Sequence, residues 1–356
     1  MVLPGSASGQ RAPGRFRRDL ERRRRPRPAP ADPPEALPRL RRLLQLLWRP
    51  QGGRVKGRGE DVTVTLRCNN ACSFCPRPRL ANVRVPPRAL ARVLREVRKG
   101  GETVVLSGGE ATLLPGFFAI VARCRELGFT RIGLVSNGRR ASRPDFAARL
   151  LSAGLRDIMV SVYSHLPAVH DGMTGVPGSC RETWRGLANL LLLARRGGGA
   201  CPIRVNLLVT AANHASLLGT LRRLARLGVP DVLVMDVLSE DERVLPPYAA
   251  IRRVWTALGR AQGLSGMRVR LRGYPPCLFE GKGASRGSRP GSWLTHEPME
   301  LDTTLGSDPD ALARYLGDAA KLFTKEALPC RRCRLSRRCR GVQKSYLRRY
   351  GGKGLG

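Results

Sequence analysis

The sequence predicts an α/β fold, a partial (β/α)6 barrel of the TIM type. Six short runs rich in β-branched residues alternate with segments whose apolar residues recur at helical spacing. Such alternation implies right-handed crossovers and a parallel sheet. The predicted strands are Asp61–Leu66, Thr103–Ser107, Arg131–Ser136, Asp157–Tyr163, Ile203–Thr210 and Asp231–Val237. The helices predicted between them are Pro87–Lys99, Phe117–Leu127, Asp145–Ala153, Arg181–Arg196 and Ala215–Leu227.

The predicted barrel, residues 59–263, is flanked by two segments of different composition. Residues 1–58 are rich in Arg, Pro and Gly, which is typical of a disordered arm, and Leu37 to Trp48 have the spacing of a short amphipathic helix within it. After residue 264 the alternation stops, so residues 264–356 are predicted to form a small appended module. Its predicted elements are a strand at Met267–Arg272, a helix at Pro309–Leu328 and a cysteine-rich end.

The formal net charge of +37 indicates either an anionic partner, such as nucleic acid, or a coding bias toward arginine. The basic residues are spread along the chain and only 5% of the residues are aromatic, so a base-stacking surface is the weaker interpretation. The sequence has no apolar run of about 18 residues and no apolar signal region at its start. A soluble, cytoplasmic protein with no membrane span is therefore expected.

Ten cysteines are numerous for a cytoplasmic chain, in which clustered thiols usually bind metal or perform redox chemistry. Cys68, Cys72 and Cys75 follow the first predicted strand, at the edge where a parallel barrel builds its active site. Their CxxxCxxC spacing suits three irons of a cubane cluster and leaves one iron without a protein ligand. The alternative is a zinc site, which would need a fourth ligand. The isolated cysteines predicted to be buried are Cys124, Cys180 and Cys201.

This spacing, with the aromatic Phe74 before the third cysteine, resembles the signature of the radical S-adenosylmethionine (SAM) superfamily. The resemblance implies that Cys68, Cys72 and Cys75 hold a catalytic 4Fe-4S cluster whose open iron binds SAM. It also implies reductive cleavage of SAM to a 5′-deoxyadenosyl radical that abstracts hydrogen from a substrate. An electron donor such as flavodoxin or ferredoxin is implied as well.

Motifs at the following strand ends resemble the SAM contacts of the superfamily. Gly108, Gly109 and Glu110 resemble its GGE motif, where two glycines are expected to let the ligand approach the backbone; a plain strand-to-helix turn is the alternative. The predicted cofactor-binding residues are Phe74, Gly108, Gly109, Glu110, Ser136, Asn137, Ser161 and Asn206. His170 and Asp171 resemble a pair seen in peptide-modifying branches, and we expect them to cap the next helix rather than to catalyse.

The run Cys330-x2-Cys333-x5-Cys339 resembles the second half of SPASM and twitch auxiliary-cluster domains. With Cys277 upstream, the resemblance implies one auxiliary 4Fe-4S cluster held by four thiolates; a structural zinc ribbon on the same cysteines is the alternative. Modules of this type resemble those of enzymes that modify peptides, so a peptide or protein substrate is the first expectation. The alternatives are a tRNA-modifying radical SAM enzyme and a non-catalytic basic protein with structural zinc.

Overall fold

The computed structural model describes residues 60–75, 85–260, 264, 266–280, 294–297, 303–304, 322–337 and 339–355. Its strands are β1 (Glu60–Thr65), β2 (Thr103–Gly108), β3 (Arg131–Ser136), β4 (Asp157–Ser161), β5 (Ile203–Val209), β6 (Asp231–Asp236), β7 (Arg268–Arg272), β8 (Leu294–Glu297), β9 (Thr303–Thr304), β10 (Phe323–Thr324) and β11 (Val342–Gln343). Strands β1 to β9 form one sheet in the order β8-β7-β6-β5-β4-β3-β2-β1-β9. Every neighbouring pair in it is parallel.

Helices follow most of the strands, as a parallel sheet requires. They are α1 (Pro87–Gly100), α2 (Phe117–Glu126), α3 (Pro144–Ser152), α4 (Pro167–Thr174), α5 (Ser179–Arg196), α6 (Leu217–Leu227), α7 (Tyr248–Arg260), α8 (Cys277–Glu280), α9 (Leu328–Arg331) and α10 (Lys344–Tyr350). Proline begins α1, α3 and α4, where its missing N–H costs no helical hydrogen bond.

The core lies along the sheet and beneath the helices. Strand β5 shows the pattern, because Ile203, Val205, Leu207 and Val209 are buried and the residues between them are half-buried. Successive side chains of a strand point to opposite faces of the sheet, so this alternation shows that one face of β5 packs in the core. The same core continues through the apolar faces of α1, α5 and α6.

The predicted α/β fold is confirmed, and each of the six predicted barrel strands is present with ends that differ by at most two residues. Strand β7, which was expected to open the appended module, instead pairs in parallel with β6 and extends the sheet. Strands β8 and β9, which are four and two residues long, were not predicted. Strands this short carry too few residues for a periodic signal.

The predicted helix Pro309–Leu328 is wrong at its end. Residues 309–321 lie outside the described residues, but Phe323–Thr324 is strand β10, which pairs antiparallel with β11. The predicted arm, with its amphipathic helix, also lies outside the described residues. Within the described helices, none is both long and apolar enough to cross a membrane.

Candidate functional site

The loop of Cys68, Cys72 and Cys75 leaves the carboxyl end of β1 and lies against the end of α4. The Ala71 and Ser73 N–H groups donate to the carbonyls of Thr174 (2.7 Å) and Met173 (3.2 Å). These carbonyls belong to the last turn of the helix, which has no partners of its own for them. The Cys68 side chain is exposed, while Cys72 and Cys75 are half-buried, so the loop presents its thiols at the sheet edge.

Side chains from the end of β3 fix the other side of this loop. The Asn137 amide Nδ2 donates to Asn69 Oδ1 at 2.7 Å and approaches Cys68 Sγ at 4.0 Å. The Arg139 guanidinium donates to the Asn69 carbonyl and to Asn70 Oδ1, and it pairs with Glu182 at 2.6 Å. The cysteine loop, the Ser136–Asn137 turn and helix α5 are thereby joined in one polar network.

The paired glycines at the end of β2 admit the backbone of the cysteine loop. A Cβ built on Gly109 would lie 2.0 Å from the Arg67 carbonyl oxygen, and one on Gly108, whose φ is +116°, would lie 2.3 Å from the Thr65 oxygen. The Gly109 and Glu110 N–H groups donate to those same two carbonyls. The group that approaches the glycines closely is therefore the chain's own backbone, where the sequence analysis expected a ligand.

Glu110 is completely buried, and its carboxylate joins the ends of β2 and β3. Oε1 accepts hydrogen bonds from the Thr112 hydroxyl (2.6 Å) and the Ser136 hydroxyl (2.9 Å), and Oε2 accepts from the Asn137 N–H (2.7 Å). A buried carboxylate requires such donors. Ser136 in turn accepts from the Gly138 N–H at 3.0 Å. Both residues therefore act inside the protein, where they hold the turn that carries Asn137.

Ser161 and Asn206 lie side by side on β4 and β5, where they are paired in register. Both are half-buried. The Asn206 Oδ1 atom is buried and has no hydrogen-bond partner within the described residues. An orphaned acceptor is costly unless a ligand or water supplies a donor. The neighbouring Ser161 and Asn206 side chains are therefore suited to contact a polar ligand that supplies a hydrogen-bond donor.

Phe74 links the cysteine loop to the end of β4. Its ring meets the Tyr163 ring edge-on at 5.0 Å, and Tyr163 packs on His170 at 5.4 Å. Burial lowers the pKa of His170 to about 4, so its ring is neutral at pH 7. Nδ1 lies 3.4 Å from the Tyr163 nitrogen and accepts its N–H, whereas Nε2 is buried and has no partner within the described residues. Phe74 is thus part of an aromatic packing unit.

Asp171 caps helix α5, as expected, whereas His170, which was expected to cap with it, instead accepts the Tyr163 N–H. Its carboxylate accepts from the Gly178 N–H (2.6 Å), the Cys180 N–H (2.7 Å) and the Ser179 hydroxyl (2.9 Å). Burial opposes ionisation, but these hydrogen bonds outweigh it and lower the pKa of Asp171. The carboxylate also lies at the helix end that favours negative charge.

The four cysteines of the second predicted site line one cavity. Cys277, Cys330, Cys333 and Cys339 surround a space of about 350 Å³, counting its mouth, together with Lys325 and mainly apolar residues. No carboxylate or imidazole is among the described lining residues. A set of donors that is all thiol suits a soft metal or an iron-sulfur cluster.

Hydrogen bonds to sulfur recur at both cysteine groups. Backbone N–H groups two residues further along the chain donate to Cys68 (3.4 Å), Cys333 (3.4 Å) and Cys339 (3.2 Å). Burial raises the pKa of the Cys330 thiol, and Cys277, Cys339 and Cys333 raise it further. Thiols that oppose one another's ionisation are stabilised as thiolates by a bound cation.

Within the described residues, no group of three or more His, Cys, Asp or Glu side chains forms a ready-made site for a metal ion.

The tail that carries this cavity is fastened to the loop after β6. Gln343 is fully buried; it donates to Asp236 (3.3 Å) and to the Val237 carbonyl (2.8 Å), and it accepts from the Ser239 N–H (3.2 Å). The Tyr346 ring stacks on Tyr248 at 3.9 Å. The sequence analysis missed this contact because its partners are about 100 residues apart.

Asp236 is the buried acid at the centre of this contact. Its Oδ2 accepts from the Tyr248 hydroxyl at 2.6 Å, and its Oδ1 has no partner within the described residues. Burial raises the pKa of Asp236 to about 7. An aspartate at the end of a barrel strand, followed by a Tyr-containing helix, was the available sequence signal.

The remaining cysteines are buried as predicted. Burial raises the pKa of Cys124 to about 12 and the pKa values of Cys180 and Cys201 to about 11. These thiols are therefore neutral at pH 7 and act as small core side chains.

Residues 62–193 match the model of the Radical SAM superfamily. This part of the chain is similar to a radical SAM domain, in agreement with the predicted superfamily. The family of the matched model implies a 4Fe-4S cluster and SAM. The SPASM or twitch character of the C-terminal residues remains a prediction.

Sequence relatives include a probable GTP 3′,8-cyclase of Thermococcus kodakarensis, 33% identical over 33% of this chain and 38% of that protein. A probable GTP 3′,8-cyclase of Methanopyrus kandleri is 28% identical over 48% of this chain and 53% of that protein. Molybdenum cofactor biosynthesis protein 1 of Bos taurus is 28% identical over 42% of this chain and 23% of that protein. The chain therefore matches about half or less of each relative's length.

Two solved structures share the fold. Streptococcus suis SuiB bound to S-adenosylmethionine has a TM-score of 0.53 and 15% identity, covering 94% of this chain and 84% of that chain. Native anSMEcpe with bound AdoMet and the Kp18Cys peptide has a TM-score of 0.53 and 15% identity, covering 80% of this chain and 90% of that chain. At this identity the similarity concerns the fold alone.

Proposed function

We propose that this protein is a radical SAM enzyme whose catalytic 4Fe-4S cluster is held by Cys68, Cys72 and Cys75. The observation that carries the proposal is that one hydrogen-bonded unit joins the cysteine loop to the Gly108–Glu110 and Ser136–Asn137 turns. When bound, the cluster and SAM supply a 5′-deoxyadenosyl radical that abstracts a hydrogen atom from the substrate. The residues of the chain bind, orient and shield these groups.

The proposed cofactor residues divide into two roles. Ser161 and Asn206 are proposed to contact SAM directly, since the Asn206 oxygen lacks a partner among the described residues. Phe74, Gly108, Gly109, Glu110, Ser136 and Asn137 are proposed to position the cysteine loop. Glu110 has its carboxylate oxygens occupied by internal donors, so its role is to hold the turn that lies beside the thiols.

The cavity of Cys277, Cys330, Cys333 and Cys339 is proposed to hold an auxiliary 4Fe-4S cluster. Four thiols in one apolar cavity support this assignment, because they supply one ligand for each iron. A structural zinc ion would use the same four sulfurs. The two alternatives differ in iron content.

A peptide or protein is our first proposal for the substrate. It is supported by the cysteine-bearing tail, which resembles that of peptide-modifying enzymes, and by the anSMEcpe structure, which contains a peptide. A nucleotide-like small molecule is the second candidate, favoured by the relatives named GTP 3′,8-cyclase. A tRNA substrate, the alternative suggested by the net charge, is the third.

The first experiment measures iron, sulfide and zinc per chain after anaerobic reconstitution, together with release of 5′-deoxyadenosine from SAM. The triple variant Cys68→Ala, Cys72→Ala, Cys75→Ala is expected to lower about eight irons to about four and to abolish SAM cleavage. Cys201→Ala, which removes a buried thiol outside both groups, is the matched control and should keep both. About four irons and one zinc in the wild-type protein would make the tail structural, and zinc without iron would contradict the proposal.

The substrate proposals are separated with the same assay. SAM cleavage is measured with a peptide library, GTP or bulk tRNA added to the reduced enzyme. Stimulation by GTP alone would overturn the peptide proposal, and stimulation by tRNA alone would favour the third candidate.

A further inference from the structure

The C-terminal tail has an extreme charge even for this basic chain. Residues 327–355 contain ten Lys or Arg residues and no Asp or Glu, whereas residues 85–260 contain 25 basic and 13 acidic residues. A uniform bias toward arginine would leave acidic residues in the tail in a similar proportion. The tail is therefore a distinct cationic segment.

Its arginines are direct neighbours in the chain of the cysteines that line the four-cysteine cavity. Arg331, Arg332, Arg334 and Arg340 each directly follow or precede a cavity cysteine, and consecutive Cα atoms are about 3.8 Å apart. The exposed basic residues, which we call the arginine collar, are Arg331, Arg332, Arg334, Arg337 and Arg340. The collar places several positive charges within a few residues of the thiols.

The basic residues of helix α10 have a different use. Arg348 pairs with Glu242 at 3.6 Å and donates to the Glu240 carbonyl, and Arg349 donates to the Glu242 carbonyl at 2.6 Å. These residues fasten the tail to the loop after β6. The side chains of Arg332, Arg337 and Arg340 make no hydrogen bond or ion pair with other described residues and are exposed, so their charge faces solvent.

We propose that the arginine collar is the docking surface for an acidic one-electron carrier protein, which reduces the cluster in the four-cysteine cavity. The inference rests on the proposed function. The carrier loses one electron and the cluster in the cavity gains it; that cluster then passes the electron to the proposed catalytic cluster, and neither transfer makes or breaks a bond. A dense positive surface attracts an acidic carrier and raises the association rate.

A nucleic acid fits this surface less well. Single-stranded nucleic acids bind where aromatic side chains stack on bases. Within the described tail, Tyr346 is buried and Tyr350 and Phe323 are half-buried, so the collar has no exposed aromatic ring beside it. Four thiols line the neighbouring cavity, and the iron-sulfur cluster proposed for them is an electron-transfer group.

The test uses the reconstituted holoenzyme and reduced flavodoxin as the electron donor. The charge-reversal variant Arg332→Glu, Arg337→Glu, Arg340→Glu is compared with Arg88→Glu, Arg92→Glu, Arg95→Glu, which reverses three exposed charges on α1. The collar variant should slow flavodoxin-driven SAM cleavage about 10-fold or more at low salt, and salt should reduce the difference. With dithionite, a small reductant, both variants should match the wild-type rate.

Equal slowing of both variants, or no slowing of either, would overturn the proposal. Loss of iron from the collar variant would point to a structural role, so Arg332→Gln, Arg337→Gln, Arg340→Gln provides the same comparison without charge reversal. Direct titration with flavodoxin needs no SAM cleavage, and it tests docking even if the proposed function fails. If the collar variant loses only tRNA binding and still binds flavodoxin normally, the surface serves nucleic acid.

Discussion

The two cysteine groups of this protein are built in different ways. The thiols of Cys68, Cys72 and Cys75 lie on a loop at the sheet edge, and turns from neighbouring strands hold its backbone. The thiols of Cys277, Cys330, Cys333 and Cys339 face one cavity. Three cysteine ligands leave one iron of a 4Fe-4S cluster free to bind an exchangeable ligand. Four cysteine ligands provide a protein ligand for every iron. The difference in architecture is therefore the one expected if the first group holds the proposed catalytic cluster and the second the proposed auxiliary cluster.

The supports of the two sites also differ. The loop depends on backbone contacts within the barrel, such as that between Gly109 and Arg67. The tail depends on side chains, chiefly Gln343, Tyr346 and Arg349, which fasten it to the loop after β6. Substitutions at these supports should therefore damage one site and spare the other.

The largest effect is expected from Gly109→Ala. The new Cβ would lie 2.0 Å from the Arg67 carbonyl oxygen and displace the cysteine loop. A misplacement of about 1 Å can cost about 100-fold in rate, so SAM cleavage should fall by at least that factor and about four irons should be lost. Gly116→Ala, whose Cβ meets nothing within 4 Å, is the control. Normal activity of the Gly109 variant would show that the loop tolerates displacement.

The tail site should respond most to Gln343→Ala. The substitution leaves the Ser239 N–H and the Val237 carbonyl unsatisfied in a buried position. We expect a loss of about 3 kcal/mol in the free energy of unfolding, measured by urea denaturation, and preferential loss of metal from the four-cysteine cavity. Lys344→Ala, at the exposed neighbour, should change stability by less than about 0.5 kcal/mol. Equal loss of metal from both sites would contradict the idea that separate contacts support the cysteine loop and the tail.

On the side of the cysteine loop, Asp171→Ala should destabilise the protein by about 2 kcal/mol. The variant removes three hydrogen bonds to a carboxylate at the start of α5. Because its folded pKa is lowered, the wild-type residue contributes stability that is lost as the pH falls through that pKa. The advantage over the variant should therefore shrink in acid. Asp145→Ala, at an exposed carboxylate, is the control in thermal unfolding.

The smallest expected effect is a pH dependence at Asp236. Because burial raises its folded pKa to about 7, the folded protein binds this proton more tightly than the unfolded chain. Stability then falls as the pH rises toward 7, at up to about 1.4 kcal/mol per pH unit. Relative to Asp236→Asn, the wild-type protein should lose about 1.5 kcal/mol between pH 5.5 and 7 and little above. Parallel stability curves for the two proteins would show that Asp236 does not titrate in this window.

The six barrel strands and the place of Cys68, Cys72 and Cys75 after the first of them followed from local patterns. The alternation of apolar residues is local to each strand, as in β5, so it can be recognised from the sequence. A motif that follows a strand must lie at the carboxyl end of that strand. The uses of Glu110 and Gln343 could not be predicted, because their partners lie 26 and more than 100 residues away. The end of the predicted helix at Leu328 failed because pairing with β11 overrides helical spacing at Phe323.

The hydrogen bonds from Ala71 and Ser73 to the end of α4 have a consequence for cluster assembly. They order the backbone between Cys68 and Cys75 when the barrel folds. Fixing a backbone residue costs about 1–2 kcal/mol of conformational entropy, and this cost falls on folding rather than on metal insertion. The thiols therefore meet incoming iron on a frame that is already arranged, and the amides of these two residues should resist hydrogen exchange even in the metal-free protein.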